Sequence, residues 1–322
     1  MRYSLLSRFE GCLLGALVAE RLGAAYEANA IDMQNSVWFG VGNKSLISGF
    51  RIKSEGISLQ KNTAEILIKD GFLQKSFWQS LGEKNNLDAV DVVLGILPLI
   101  LYLHDQELKK KLSLHEACVN LSKGEFTEQM VVVLGYSISL ALQEKLRASR
   151  LIGQMVARLE QEFGGESVLG QQLSKIQPVL ESNGGLEQLE RVVKQDAVKS
   201  QTMVGGEILG QMLSVARALD SFVAYSEDFR LCVMRALRTG KSPRLSALFA
   251  GALAGAYGGV GSIPVAWSEG FCGLELGWEG MPVSEMARRL FAAWSGVYQN
   301  QGSMIETNRF GAVAASELLR RR

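Results

Sequence analysis

Hydrophobic residues recur at three- and four-residue spacing along most of the chain, and this period predicts helices. The first such segment runs from Leu5 to Leu22 and is followed by Gly23, so we expect the first helix to end at that glycine. The stretch from Ala24 to Leu59 has no such period and is rich in Gly, Asn and Ser. That composition predicts a long surface loop.

Four later segments carry the helical period: TAEILIKDGFLQKSFWQSL, LDAVDVVLGILPLILYLHD, LHEACVNLS and EQMVVVLGYSISLALQEKL. Val and Ile runs in the second and fourth resemble strands locally, but the length of the segments predicts buried helices. Residues 148–200 are more polar and contain two Gly-Gly pairs, which predicts a peripheral helical insertion. Further helical patterns follow, and the last ends in three arginines at 320–322. The chain therefore reads as one all-α domain, 1–322, of about a dozen helices.

Composition and charge give no support for a nucleic-acid-binding or membrane protein. The 322 residues are 47% hydrophobic, which is enough to form a sizeable core. Lys and Arg number 34 against 33 Asp and Glu, so the net charge of +1 gives no basis for binding nucleic acid or acidic membranes. The apolar N-terminal segment is interrupted by charges and never reaches the roughly 20 apolar residues of a membrane span. The four cysteines lie far apart, as buried thiols of a cytoplasmic protein do.

Small residues repeat along ALFAGALAGAYGG, where Gly251, Gly255 and Gly259 share one helical spacing. Small residues at this spacing allow two helices to approach closely, in a core or in a membrane dimer. Pro264 and Glu269 follow soon after, so the segment is too short for a membrane span. The spacing therefore predicts close helix packing in the core.

Three segments together resemble the ADP-ribosylglycohydrolase family of all-α hydrolases. RFEGCLLGALVAERLGAAYE is similar to the family's opening, in which a Gly-Cys-Leu-Leu-Gly helix leads through a Gly-Asp-Ala-Leu-Gly turn to a glutamate. ALFAGALAGAYGGVGSIPVAWSEG is similar to its closing helix, which precedes an Ile-Pro-x-x-Trp segment, and GILPLILYLHD lies between the two. The resemblance covers nearly the whole chain and implies the same single compact helical domain.

The family binds two Mg²⁺ ions through a Thr-Asp-Asp-Thr run before an early helix and a Gly-Gly-Asp-Thr-Asp-Thr run before the closing helix. The resemblance places Ser58, Leu59 and Gln60 on the first run, followed by Lys61. It places the segment GKSPRL, which includes Ser242 and Arg244, on the second. Mg²⁺ requires oxygen ligands, and a cation at a ligand position repels it. We therefore expect a retained fold with no metal site and no Mg²⁺ cofactor.

Two glutamates remain where the family builds its cleft. The resemblance places Glu20 on the family's turn aspartate and Glu27 on a glutamate of the substrate and metal cleft. Arg244 could pair with either one and hold the former cleft together without metal; the alternative is a solvent-facing arginine. Glu27 is the candidate catalytic residue, because a carboxylate there can polarise a water; the alternative is a solvated loop glutamate. Asp88 and Asp91 precede a helix, which one of them is expected to cap.

The sequence thus predicts a catalytically inactive family member with a regulatory, ligand-binding or scaffold role. Its partner would be an ADP-ribose-like ligand or another protein. One alternative is an active hydrolase that removes ADP-ribose from a protein or small molecule through a metal-independent site built on Glu27 and Arg244. A further alternative is an oligomer-forming role in which residues 148–200 carry the interface.

Overall fold

The computed structural model describes residues 3–28, 55–82, 87–121, 124–181, 206–238, 242–272 and 282–296, together with positions 188, 191 and 192. Within these ranges the chain forms helices and turns and no strand, which confirms the predicted all-α class. The α-helices, in chain order, are α1 (Leu5–Glu27), α2 (Glu55–Asp70), α3 (Lys75–Gly82), α4 (Ala89–Tyr102), α5 (Glu107–Leu121), α6 (Glu125–Leu142), α7 (Leu151–Phe163), α8 (Val168–Glu181), α9 (Gly206–Tyr225), α10 (Phe229–Leu237), α11 (Pro243–Gly258), α12 (Val265–Cys272) and α13 (Val283–Ser295).

Helices α1 and α11 form a central pair whose backbones touch. A Cβ built on Gly255 would lie 1.9 Å from the carbonyl oxygen of Gly11. One built on Gly251 would lie 2.4 Å from the carbonyl oxygen of Gly15. Only glycine leaves space for such an approach, so the prediction that the small residues serve helix packing is confirmed.

The other helices surround this pair. Helices α9, α10 and α6 pack against α11, while α13 packs against α1 and α2. Helix α2 lies against α4, which is buried from Val92 to Tyr102 and confirms the predicted buried helix. In the described part of the chain, no helix has the length and apolar character needed to cross a membrane.

Two predicted helix boundaries are wrong. Helix α1 does not end at Gly23 but continues to Glu27. Gly23 is needed for helix contact, because a Cβ there would lie 2.5 Å from the Cα of Arg244. The segment predicted as one helix after Thr63 is divided at Gly71, whose φ of +74° favours glycine and ends α2.

Both ends of the predicted loop are wrong, because Ala24 to Glu27 belong to α1 and residues 55–59 belong to α2. Residues 29–54 lie outside the described residues, as does the predicted final helix ending at 320–322. The described part of 148–200 includes α7 and α8, which pack on each other and on α6. Its assignment as a peripheral insertion stays a prediction.

Candidate functional site

Arg244 lies in the first turn of α11, directly against the C-terminal part of α1. The contact is made at Gly23, where the two backbones are too close for a side chain. Residues on the last two turns of α1 therefore face the start of α11. This packing brings Glu20 and Glu27, both predicted from the sequence, to the same arginine.

The guanidinium of Arg244 is surrounded by carboxylates. Its Nε donates to Oε1 of Glu20 at 2.6 Å, and its Nη1 donates to Oδ2 of Asp88 at 3.3 Å. Its Nη2 lies 3.9 Å from Oδ1 of Asp91. The side chain of Glu20 is 0% exposed and that of Arg244 is 16% exposed. We call Arg244, Glu20, Glu27, Asp88 and Asp91 the arginine cluster.

Glu27 binds the backbone of Arg244 and not its side chain. Its Oε1 accepts the Arg244 N–H at 3.1 Å. Helix α11 has Pro243 in its first turn, no acid in that turn and no hydrogen bond from the side chain of its N-cap residue, Ser242. An acid near a helix N-terminus is stabilising. Glu27 of α1 therefore provides the acid that the first turn of α11 lacks.

The two aspartates connect further helix starts to the cluster. Asp88 is the N-cap of α4 and accepts the Asp91 N–H at 2.8 Å, which confirms the predicted cap. Asp91 in turn accepts the Gly56 N–H at 2.8 Å through Oδ1. A Cβ on Gly56 would lie 2.6 Å from the Cα of Asp91, so glycine is required there. The starts of α2, α4 and α11 thus converge on one group of charges.

Burial and the neighbouring opposite charges shift the pKa values of the cluster in opposite directions. Burial raises the pKa of Glu20, although the Arg244 and Arg21 guanidinium groups partly oppose this. Burial likewise raises the pKa of Asp88. Burial alone would lower the pKa of Arg244, but the surrounding carboxylates, Glu20 first, raise it above its ordinary value. Arg244 therefore stays charged and serves as counter-ion to buried acids.

The residues aligned with the family's first metal run do not contact Arg244 in any described interaction. Ser58, Leu59 and Gln60 lie within α2 and not before it. Ser58 is exposed, whereas Leu59 is buried. Leu59 packs directly on Gly95, where an added Cβ would lie 2.2 Å from its side chain. Gln60 is fully buried, and neither of its amide atoms has a hydrogen-bond partner among the described residues. The part of α2 that reaches the cluster is Gly56.

Ser242, aligned with the second metal run, contributes its backbone. Its carbonyl accepts hydrogen bonds from the hydroxyl groups of Ser214 at 3.1 Å and Ser246 at 3.3 Å. Lys61 lies 3.8 Å from Glu65 on its own helix, and Lys241 lies outside the described residues. Of the residues selected from the sequence, Arg244, Glu20 and Glu27 come together in the structure, whereas the link from Gly56 to Asp91 was not predicted.

The cluster does not fit the magnesium ions that the family resemblance implies. Across the described ranges, no group of three or more His, Cys, Asp or Glu side chains is arranged to hold a metal ion. The carboxylates of Glu20, Asp88 and Asp91 all lie within 4 Å of a guanidinium nitrogen of Arg244. A positive side chain among these oxygens opposes a second cation.

The described residues form an all-α domain built around a close central helix pair. The family model for ADP-ribosylglycohydrolase matches residues 53–300, and the chain belongs to this family. A solved structure described as "ADP-ribosylglycohydrolase-related protein complex" is 18% identical, with a TM-score of 0.52 over 90% of this chain and 98% of that chain. This likeness supports the fold alone. No curated protein sequence matches the chain significantly.

Proposed function

We propose that this protein is a family member without metal-dependent hydrolase activity, in which Arg244 holds the former cleft together. The observation that carries this proposal is the 2.6 Å hydrogen bond from Arg244 Nε to the fully buried carboxylate of Glu20. A guanidinium can neutralise carboxylates, but it cannot activate a bound water as a divalent metal does. The retained fold then serves a regulatory, ligand-binding or scaffold role.

The alternative, a metal-independent hydrolase based on Glu27, has weaker support. Glu27 is exposed, so its carboxylate is open to a water or a substrate, as a general base must be. Its carboxylate, however, accepts the Arg244 N–H, and that contact has a structural purpose at the start of α11. We therefore favour the non-catalytic reading.

The experiment is an activity assay on the purified full-length protein with an ADP-ribosyl-arginine peptide. Three conditions are compared: no added metal, added Mg²⁺, and a chelator. We expect no turnover in any of them and no stoichiometric Mg²⁺ by elemental analysis. Turnover that requires Mg²⁺ would contradict the proposal. Turnover that persists with chelator and is lost in Glu27→Gln would establish the alternative.

Thermal unfolding with ADP-ribose separates a ligand-binding role from a scaffold role. A ligand that binds the folded state raises the melting temperature as its concentration increases. If ADP-ribose binds in the former cleft, Glu27→Gln weakens the shift while Glu160→Gln, an exposed glutamate on α7, leaves it unchanged. If ADP-ribose gives no shift, the protein is better described as a scaffold.

We also propose that the protein works in the reducing environment of the cytoplasm. Cys12, Cys118 and Cys232 are free and buried. Burial raises the pKa of each thiol well above its ordinary value, so these residues are inert packing groups. Intact protein mass after mild oxidation is expected to show no disulfide among these three.

A further inference from the structure

The outer face of α5 carries exposed apolar side chains. Leu108 is 72% exposed, and Leu112 and Val119 are each 61% exposed. They are three of the four most exposed large hydrophobic residues in the described part of the chain. Exposed apolar residues scattered singly are ordinary, but several on one surface mark an interaction site.

These residues form a continuous stripe along the helix. Leu108, Leu112, His115 and Val119 follow one another at spacings of four, three and four residues, which places them on one face of α5. The His115 side chain is 61% exposed, and its Nδ1 lies 2.6 Å from Oε1 of Glu128 on α6. The opposite face of α5 is buried against α3, α4 and α6. We call these four residues the α5 stripe.

The α5 stripe is complementary to a second copy of itself. Its spacing of four, three and four residues reads the same in both directions along the helix. A second α5 in the antiparallel direction therefore brings its Val119 to Leu108 and its His115 to Leu112. Alternating spacings of three and four residues are those of helices that pack side by side in coiled coils.

The charges beside the stripe favour the same arrangement. Lys109 and Lys111 are exposed in the first half of α5, and Glu116 lies in the second half. None of the three has an ion-pair partner among the described residues. In an antiparallel pair, Lys109 of each copy lies beside Glu116 of the other, whereas a parallel pair would align the lysines of both copies. Opposite charges across an interface fix its register, and like charges oppose other registers.

We propose that α5 packs antiparallel against α5 of a second copy, so that two chains form a two-fold symmetric dimer. A standard interface buries about 800 Å² on each partner, and one helix face supplies less. The dimer is therefore weak, with a dissociation constant on the order of 10–100 µM. This interface is separate from residues 148–200 and does not depend on the proposed function of the arginine cluster.

Sedimentation velocity of the full-length protein over about 2–500 µM tests for this dimer, since the range brackets the expected dissociation constant. We expect the mass to rise from monomer to dimer. Leu112→Glu places a charge at the centre of the interface and should raise the dissociation constant at least about tenfold. Leu231→Glu is the matched control, because it makes the same change at an exposed leucine on α10 and should leave the constant unchanged.

Two results of this experiment would overturn the proposal. One is a protein that stays monomeric at the highest concentration. The other is a dimer that Leu112→Glu weakens no more than Leu231→Glu does, which would place the interface elsewhere on the molecule. Circular dichroism verifies that both variants are folded.

Disulfide trapping tests the direction of the two helices. In the antiparallel dimer residue 108 faces residue 119 of the other copy, so mild oxidation should link Leu108→Cys to Val119→Cys in an equimolar mixture. Leu108→Cys alone should not form a disulfide dimer, because the two copies of residue 108 lie about 16 Å apart along the axis. Wild type is the control, and its Cys12, Cys118 and Cys232 are buried. By intact mass, linkage within each single variant and none in the mixture would overturn the antiparallel arrangement.

Discussion

An arginine–glutamate pair lies at each end of the central helix pair, but the buried partner differs. In the Arg244–Glu20 pair the glutamate side chain is 0% exposed. In the Arg8–Glu144 pair the arginine is 8% exposed and the glutamate is 44% exposed. Loss of the partner therefore leaves a buried carboxylate at one end. At the other end, Arg8 keeps its bond to the Ala141 carbonyl.

This difference means that the charge of Arg244 is needed for stability, whereas the charge of Glu144 is less important for it. A buried charge that loses its partner is destabilising, whereas an exposed pair contributes little. The Arg244 end should therefore control stability. Loss of Glu144 at the Arg8 end should cost less, because the glutamate is the exposed partner there and the buried Arg8 keeps its hydrogen bond to Ala141.

The largest effect is expected from Arg244→Met. It leaves the buried Glu20 without its main counter-ion and should lower the free energy of unfolding by about 3–5 kcal/mol. Arg21, whose Nε lies 3.8 Å from Oε2 of Glu20, should keep the loss near the lower value. Urea denaturation gives the free energy, and Arg150→Met is the control, expected within about 0.5 kcal/mol of wild type. A loss no larger than that of the control would mean that Arg244 does not stabilise the cluster.

Gly255→Ala tests the contact that joins the two ends. The added Cβ would lie 1.9 Å from the Gly11 carbonyl oxygen, which belongs to backbone and can move only if the helices separate. We expect a loss near the upper end of the overpacking range of about 1–3 kcal/mol. Gly165→Ala is the control, because no atom lies within 4 Å of its Cβ position. Equal urea midpoints for the two variants would contradict the close packing.

The effect of Arg244→Met should depend on pH. The folded-state pKa of Glu20 is raised, so folding favours its protonated form, and that contribution is lost as pH rises through the folded pKa. Removing Arg244 raises this pKa further, so the deficit should grow from pH 5 to pH 8, by at most about 1.4 kcal/mol per pH unit. Urea titrations at four pH values measure it. The pH dependence of the deficit should be smaller in Arg244→Met/Glu20→Gln, where Asp88 is the remaining acid with a raised pKa beside residue 244. A constant deficit in the single variant would contradict the mechanism.

Glu27→Gln should have a smaller effect, since it weakens one charge-assisted bond at the start of α11. A loss of about 0.5–1 kcal/mol is expected, as for a helix cap near the positive end of the helix dipole. Glu160→Gln changes an exposed glutamate on α7 and should stay within about 0.5 kcal/mol of wild type. If the two variants have the same stability, Glu27 does not cap α11.

The smallest effect is expected from Glu144→Gln, because the lost pair is partly exposed. Its stability should lie within about 1 kcal/mol of wild type. Glu144→Gly removes the same pair but also the strain of a φ of +59°. It should therefore be at least as stable as Glu144→Gln by urea denaturation, and a less stable glycine variant would show that the backbone is not strained.

Sequence patterns predicted the elements whose signal is local. The period of apolar residues predicted α4 and α6, and the position of Asp88 before α4 predicted the N-cap of that helix. The small-residue spacing on α11 predicted a close helix contact, because only a neighbouring backbone explains repeated glycines. These features depend on side-chain type and spacing, and both are visible in the sequence.

Features that depend on a distant partner could not be predicted. Gly23 has the local signature of a helix end, yet glycine is needed there because the backbone of Arg244 lies against it. The bond from the Gly56 N–H to Asp91 involves a backbone donor, which every residue except proline carries. The positive φ of Glu144 follows from the helix end and the Arg8 contact together. Tertiary contacts decide each of these cases.

The contact between α1 and α11 also has a consequence for biosynthesis. Glu20 and Arg244 are separated by 224 positions in the chain. At translation rates of about 5–20 residues per second, α1 leaves the ribosome roughly 10–45 seconds before its main packing partner. During that interval the glycine-lined face of α1, which packs on α11, has no native neighbour. Helix α1 is thus made long before its main contact can form, and we expect nascent chains to need protection from aggregation until residue 258 has emerged.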